Sequence, residues 1–221
     1  ELSNRVRRRQ FEELRRREGP DAEKRVLEQF LSSNAEFFFP PDPTEMSALL
    51  GGAVATNASG ARTFKYGPIR DWVKRLRVVL SNGDILDIRR GELNANGDTF
   101  EIVMVDGTLR KVKIPCYKMP AVKNAAGLYA KPGMDLIDLF IGSEGILGVI
   151  TLVEVRLAVR TGIGLYVMAF TPSEEDAIAL VCDLRESSSS LERPELIEYF
   201  DSKSVNIVRE MRDSLSQMDI P

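Results

Sequence analysis

The chain has 221 residues, 43% of them hydrophobic and 29% charged, with a formal net charge of −3 at pH 7. This composition is that of an ordinary globular protein, and the small acidic excess argues against a nucleic-acid-binding protein, which usually carries clustered basic charge. No apolar run approaches the roughly 18 residues of a membrane-spanning helix, so we expect a chain that is not transmembrane. Histidine is absent, which removes the commonest general base and argues against a zinc or iron site.

The two cysteines, Cys116 and Cys182, lie far apart, and no motif marks them as a disulfide or a metal pair. A reduced, cytoplasmic setting is therefore the expectation.

Residues 1–36 form a charged, helix-prone segment rich in arginine, interrupted by Gly19-Pro20. Asp21 is a plausible N-cap for a second helix. The arginine run at 5–17 fits a solvated helix face with ion pairs better than a site for an anionic surface or partner, and both interpretations stay open.

An aromatic cluster with three prolines follows at residues 37–43. Proline fixes φ and biases the preceding residue towards extended geometry, so the segment resists any helix. It is either a rigid linker packed on a core or one wall of a ligand slot.

Two hairpins and a further strand are predicted next. The first covers residues 73–88, with Asn82-Gly83 favouring a tight primed turn. The second pairs residues 100–105 with 108–114, and the polar stretches around it make the region 91–133 an expected insertion. Residues 149–157 are rich in β-branched side chains and predict a strand.

Beyond Gly162 the pattern changes to a strand-helix-strand-helix alternation. Residues 165–170 and 196–200 predict strands, and the helices are expected to start after Ser173 and Asp201. This order predicts the first part of a separate α+β domain.

The strongest functional signal is a pair of glycine-rich segments at residues 51–60 (GGAVATNASG) and 141–151 (IGSEGILGVIT). Neither is a dinucleotide GxGxxG motif or a phosphate-binding P-loop. Glycine tolerates positive φ and leaves backbone N–H groups accessible, which is the chemistry that a diphosphate requires.

With these segments the chain resembles the FAD-linked oxidases and dehydrogenases of the vanillyl-alcohol-oxidase-type (PCMH) flavin fold. The nearest group contains D-lactate dehydrogenase, glycolate oxidase and D-2-hydroxyglutarate dehydrogenase. The matching strings, in order, are residues 39–43, 51–60, 65–71, 133–140 and 141–151. The resemblance implies an α+β fold. It divides the chain into a charged helical segment (1–36), an FAD-binding domain incomplete at its N-terminus (37–161), and the start of a ferredoxin-like cap domain (162–221).

The resemblance also implies FAD as cofactor and assigns the residues that would hold it. Backbone and short polar groups along the diphosphate and ribityl chain would come from Gly51, Gly52, Thr56, Asn57 and Gly60, with Asp42 and Ser47 on the approach. Glu144, Gly145, Gly148 and Ile150 would lie along the adenosine half, and Tyr66 and Gly67 nearer the isoalloxazine.

The chain departs from the family in ways that shape the functional expectation. The family's Arg-Gly-x-Gly-type loop has no counterpart in residues 1–36, and no histidine is available near a flavin. We therefore expect a fragment or one polypeptide of a split enzyme, and assign no catalytic residue.

The implied parent enzyme oxidises a small D-2-hydroxy acid by hydride transfer to flavin. Electrons would leave to a separate acceptor, such as an iron–sulfur or quinone-linked partner. The alternative is a truncated, catalytically inactive flavin-fold module used for binding or assembly.

Overall fold

A computed structural model describes residues 25, 28, 32, 35–41, 47–103, 107–160, 164–186 and 194–215. The predicted N-cap at Asp21 and the arginine run at 5–17 lie outside these residues. In chain order the elements are β1 (Phe37–Phe38), α1 (Leu50–Ala55), α2 (Thr63–Tyr66), a 3₁₀ turn (Ile69–Trp72), β2 (Val73–Val79), β3 (Ile85–Arg89), β4 (Thr99–Val103), β5 (Leu109–Lys113), α3 (Ile137–Phe140), β6 (Val149–Val155), β7 (Ala158–Val159), α4 (Glu174–Glu186) and α5 (Ser202–Leu215). The fold is α+β with small sheets, as predicted.

The largest sheet is three-stranded and antiparallel, in the order β3-β2-β6. Its central strand alternates in the way a sheet with one buried face requires. Leu76 and Val78 are fully buried, whereas the alternate residues Arg75 and Arg77 lie on the other face and pair with Asp87 of β3. The predicted first hairpin is thus confirmed. The strand predicted at residues 149–157 forms as β6, which ends at Val155 rather than at residue 157.

The turn of this first hairpin differs from the predicted primed type. A two-residue type I′ turn needs positive φ at both central residues. Here Gly83 has φ 86°, but Asn82 does not adopt positive φ. Gly83 N donates to Leu80 O at 2.9 Å and Leu80 N to Asp84 O at 2.9 Å, which describes a longer loop whose last residues bulge.

The second predicted hairpin is also confirmed. Strands β4 and β5 pair from Thr99 opposite Lys113 to Val103 opposite Leu109, as a separate two-stranded sheet. Phe100 is fully buried and anchors this hairpin in the hydrophobic core. That it is an insertion remains a prediction.

The core continues into α3, which is a short helix with every residue buried. Ile137 and Ile141 are fully buried and pack in the same cluster as Leu76, Val78 and Phe100. The buried run places the start of the second glycine-rich segment, at residue 141, in the hydrophobic core.

The two predicted strands beyond residue 162 are wrong, whereas the two helices are confirmed. Residues 164–170 and 196–200 carry no regular structure, and the side chains from Leu165 to Phe170 are strongly exposed, Tyr166 at 88%. An apolar run becomes a strand only where another strand accepts its hydrogen bonds, and none of the described strands pairs with these residues. Both helices begin at predicted caps: Asp176 N donates to Ser173 Oγ at 3.1 Å, and Ser204 N to Asp201 Oδ1 at 2.7 Å.

Strands β1 and β7 belong to a second, smaller compact unit. Within it Phe37 pairs with Val159 and Phe38 with Ala158. Arg160 closes the pair, because its backbone N donates to Glu36 O at 2.7 Å and its side chain contacts the Glu36 carboxylate. The predicted domain boundaries after residues 36 and 161 remain predictions.

Candidate functional site: two glycine-rich segments beside a cleft

The two glycine-rich segments, of which one ends at residue 60 and the other begins at residue 141, meet directly in the structure. Gly142 N donates to Val54 O at 3.0 Å, and Glu144 N donates to Ala55 O at 2.8 Å. A Cβ added at Gly142 would lie 3.0 Å from Cβ of Asn57, so the close approach leaves little room for a larger residue. We call this contact, formed by residues 54–57 and 141–144, the glycine junction.

Arg70 forms hydrogen bonds to both segments of the glycine junction. Its Nη1 donates to Asp138 O at 2.5 Å and to Asp138 Oδ1 at 3.1 Å, while Nη2 donates to Ile141 O. Its backbone N donates to Asn57 Oδ1 at 3.3 Å, so one residue contacts both segments. Asp138 also accepts from Arg90 Nη2 at 3.0 Å, which gives the buried carboxylate a second cation.

The ionic partner of Arg70 is distant in the sequence. It is Asp138, which is 68 residues further along the chain. Burial lowers the pKa of the Arg70 guanidinium, and Asp138 opposes that shift. Arginine keeps its charge in proteins, so the network remains ionic.

Glycines of the predicted site fall into two kinds. Around Gly51, Gly52 and Gly145 an added Cβ would meet nothing within 4 Å, so their backbone is open to an approaching ligand. Gly67 and Gly148 are required by internal packing instead. At Gly67 an added Cβ would collide with the Asp71 carboxylate, and at Gly148 it would lie 2.6 Å from Val79 O.

Two residues of the glycine junction that are not glycine adopt positive φ, which other residues adopt infrequently. Asn57 has φ 47° and Glu144 has φ 52°. Backbone strain of this kind concentrates at functional sites, because the surrounding structure must hold it. Both residues belong to the predicted cofactor-binding set.

The remaining predicted residues do not form one cluster of contacts, and each has its own hydrogen bond or position in the fold. Thr56 Oγ1 donates to Gly52 O at 3.0 Å, so its hydroxyl closes the end of α1. Tyr66 Oη donates to Glu195 Oε1 at 2.9 Å, and Ile150 lies in β6 opposite Val78. Gly60 O accepts from Thr63 N, Ser47 is exposed, and Asp42 lies outside the described residues. The binding roles of this set stay predictions.

A cleft of about 1090 Å³ lies beside the glycine junction. Of the predicted residues, Asn57, Gly60 and Gly67 line it, together with Gly142 of the second segment. Its other walls are residues 119–127 with Tyr129 and Lys131, and a third set from α4 and the segment around residue 198. The sequence interpretation missed these walls because they follow no regular pattern, although Lys123-Asn124 stands out as a polar pair among alanines, prolines and glycine.

The charge on the cleft lining is positive. Its ionisable cations are Arg70, Lys123, Lys131 and Arg185, and its carboxylates are Asp71 and Glu198, an excess of two positive charges (four minus two). The Arg70 guanidinium lies 4.1 Å from the centre of the Tyr129 ring, a cation–π contact.

Asp71 differs from an ordinary exposed carboxyl. Burial raises the pKa of its carboxyl, while Arg90, Arg156 and Arg70 partly oppose the shift. A cleft with this excess of positive charge suits an anionic ligand such as a diphosphate.

Other kinds of site are not seen in the described part of the chain. Its residues include no cluster of three or more His, Cys, Asp or Glu side chains that could hold a metal ion. None of its helices is both long and apolar enough to cross a membrane.

The glycine junction and its cleft have the characteristics of a site for a large anionic cofactor, and comparisons with known proteins identify that cofactor. Residues 25–89 match the family model of an FAD binding domain. D-lactate dehydrogenase of Anaerostipes hadrus is 35% identical over 161 residues, which are 71% of this chain and 26% of that protein.

Two further relatives agree. Glycolate oxidase subunit GlcD of Bacillus subtilis is 30% identical over 174 residues, covering 78% of this chain and 29% of its own. D-2-hydroxyglutarate dehydrogenase of Stutzerimonas stutzeri is 29% identical over 132 residues, which are 59% of this chain and 21% of that protein. The chain is thus similar to FAD-linked oxidases and dehydrogenases, and the match to an FAD binding domain supports FAD as its cofactor. It spans about a quarter of the length of these curated relatives.

The residues present fit this cofactor. Open backbone at Gly51, Gly52 and Gly145 would admit a diphosphate and sugar, and the cleft adds positive charge. The family match ends at residue 89, so the second glycine-rich segment is linked to the first by the hydrogen bonds of the glycine junction rather than by the family model.

Proposed function

We propose that the chain forms part of the FAD site of an oxidoreductase that oxidises a small D-2-hydroxy acid. The observation that carries the proposal is the glycine junction, in which Gly142 and Glu144 bond the end of α1 beside a cationic cleft. Relatives named for oxidation of lactate, glycolate and 2-hydroxyglutarate support the substrate class.

In this proposal the chain binds and orients the cofactor, which when bound supplies the two-electron redox chemistry. Gly51, Gly52 and Gly60 would contact the diphosphate and ribityl chain through their backbone, with Thr56 and Asn57 shaping that surface. Glu144, Gly145, Gly148 and Ile150 would follow the adenosine half, Tyr66 and Gly67 the isoalloxazine, and Asp42 and Ser47 the approach.

The parts of the enzyme beyond the FAD site are proposals of the same standing. Residues 162–221 would be the beginning of a cap domain over the substrate, since α4 and α5 alternate with apolar segments in this part of the chain. The electrons would pass to a separate acceptor, such as an iron–sulfur or quinone-linked partner.

Substitution of Gly52 tests the placement of the cofactor. Gly52 lies in a helix at negative φ with open space in front of it, so Gly52→Val leaves the fold intact but fills the space over the backbone. The expected result in a flavin-fluorescence titration with FAD is a loss of affinity of at least about tenfold.

Gly164→Val is the matched control, because an added Cβ there also meets nothing within 4 Å and φ is not positive. It should bind FAD like the unchanged chain. Equal affinity in the Gly52 and Gly164 variants would refute the proposed position of the diphosphate.

Addition of D-lactate, glycolate or D-2-hydroxyglutarate to the FAD-loaded protein under anaerobic conditions tests the reaction. Bleaching of the flavin absorbance by one of them identifies the substrate. FAD binding with no bleaching by any of the three would favour the alternative, a flavin-fold module used for binding or assembly.

A further inference from the structure

Two buried polar atoms on the cleft lining lack a hydrogen-bond partner. They are Oγ1 of Thr63 and Oδ1 of Asn124, the two such atoms among the described residues. Thr63 is the first residue of α2, and Asn124 lies in the loop 119–127, so they come from different walls of the same cleft. Buried polar atoms without a partner are rare in native proteins, and each asks for an explanation.

The chemistry of the free Asn124 atom is fixed by its other amide atom. Nδ2 of Asn124 donates to Val122 O at 2.9 Å. Since a carbonyl can only accept, this bond identifies the nitrogen, and the unpartnered atom is the amide oxygen. Asn124 therefore requires a hydrogen-bond donor, whereas the hydroxyl of Thr63 can either donate or accept.

This requirement excludes the diphosphate oxygens of the cofactor as partner. The oxygens of an ionised diphosphate only accept hydrogen bonds, so they cannot satisfy Asn124 Oδ1. The donors of FAD are the imide N–H of the flavin ring, the ribityl hydroxyls, the adenosine ribose hydroxyls and the adenine amino group. We favour the flavin donors because Gly67, which the resemblance assigns to the isoalloxazine end, lines the same cleft. Apolar neighbours on the same wall, Met119, Pro120 and Val122, are suited to pack against a flat ring.

We infer that Thr63 and Asn124 bind the flavin half of FAD, with Asn124 Oδ1 accepting a hydrogen bond from an N–H or O–H group of the cofactor. The inference rests on the proposed function, because it takes FAD to occupy this cleft. It adds two residues that neither the family motifs nor the glycine-rich segments indicate, and it assigns the loop 119–127 to the flavin rather than to the diphosphate.

Thr63→Val is the principal test, because valine has the shape of threonine without the hydroxyl. A residue with a purely structural role would lose stability, whereas removal of an unpartnered buried hydroxyl should leave the melting temperature without FAD unchanged or higher. The dissociation constant for FAD should rise roughly 3- to 10-fold. Thr99→Val is the matched control, since Thr99 Oγ1 already donates to Asp98 Oδ1 at 2.9 Å and the residue does not line the cleft.

Asn124→Leu extends the test and separates the two halves of the cofactor. We expect weaker binding of FAD and unchanged binding of ADP, which is the probe for the adenosine diphosphate half of the cofactor. Lumiflavin, which lacks the ribityl chain, then distinguishes the donors: a loss equal to that for FAD assigns the ring imide, and no loss assigns a ribityl hydroxyl.

Unchanged FAD affinity in both Thr63→Val and Asn124→Leu would overturn the inference, as would an equal loss for ADP. If the unchanged chain bound ADP but Gly52→Val did not lower the affinity for FAD, the proposed position of the diphosphate would be wrong. The FAD affinity of Thr63→Val would still test the present inference independently. If the unchanged chain bound no FAD, the proposed function and this inference would fail together.

Discussion

The apolar residues around the glycine junction and those of the segment 164–170 have opposite structural outcomes. Around the junction, Val54, Ile141 and Val78 are fully buried, and backbone groups of the two glycine-rich segments bond each other. In the segment, Leu165, Val167 and Phe170 are 77–87% exposed, and the predicted strand does not form.

The difference shows what an apolar pattern needs in order to become structure. In the central sheet each strand has a neighbour that accepts its hydrogen bonds and a core that covers one face. Residues 164–170 have no partner strand among those described, so burial provides none of the free energy that offsets their ordering. Four pairs of substitutions break or sharpen this comparison.

The largest loss of stability is expected for Arg70→Met. It leaves Asp138 with one cation and removes the donors to Asp138 O and Ile141 O, so we expect a loss of about 3–5 kcal/mol in the free energy of unfolding. Urea unfolding measures it. Arg75→Met, which breaks a partly exposed pair with Asp87, should cost under about 1 kcal/mol. Equal losses would show that Arg70 does not hold the junction.

A smaller loss is expected for Gly148→Ala. An added Cβ would lie 2.6 Å from Val79 O, and φ is 151°, so overpacking adds to backbone strain for a total of about 3 kcal/mol. Gly145→Ala is the control within the same segment, since φ is 81° but the space is open, and it should cost about 1 kcal/mol. Thermal unfolding that shifts equally in both would contradict the packing role of Gly148.

Val78→Ala and Val167→Ala compare the two regions directly. Val78 is fully buried in the core, whereas Val167 is 77% exposed to solvent. The first should lose about 2 kcal/mol of stability from the cavity it leaves, and the second under about 0.5 kcal/mol. A loss at Val167 as large as that at Val78 would mean that residues 164–170 are covered in solution.

The smallest effect is expected for Asp87→Asn, and it depends on pH. The hydrogen bond from Arg75, with further help from Arg77, lowers the pKa of Asp87 to about 2 from its ordinary 3.8. Stability from a lowered carboxyl pKa is present above the ordinary value and is lost as the pH falls through the folded value. Solvent screening limits it to under about 1 kcal/mol.

The difference in unfolding free energy between the unchanged chain and Asp87→Asn should therefore be constant near neutrality and shrink between about pH 4 and pH 2. Asp183→Asn on α4 serves as a control for the loss of a surface charge. A difference that grew with acidity would reverse the assigned sign.

Sequence was informative where the determinants were local. Alternating apolar residues around Asn82-Gly83 and Asp106-Gly107 predicted both hairpins, and Ser173 and Asp201 predicted the helix starts. The turn type failed because Asn82 keeps negative φ, which the loop length decides and the dipeptide does not.

The candidate site was predictable only in part for a physical reason. Glycine content alone predicted that two segments approach a cofactor. The other contacts join residues that are 68 or more positions apart, so no local pattern predicts them. They are the hydrogen bonds from Gly142 and Glu144 to Val54 and Ala55, and the ion pair of Arg70 with Asp138. The walls that contain Thr63 and Asn124 carry no repeating pattern, so only the fold brings these two residues to the same cleft.

The most direct test of the central claim, that the two glycine-rich segments form one FAD-binding surface, is a ¹H–¹⁵N spectrum of the chain during titration with FAD. The account predicts that the amide signals of Gly51, Gly52 and Gly145 shift together, while those of the turn glycines Gly83 and Gly107 stay in place. Shifts at only one segment, or none at any of the three, would contradict it.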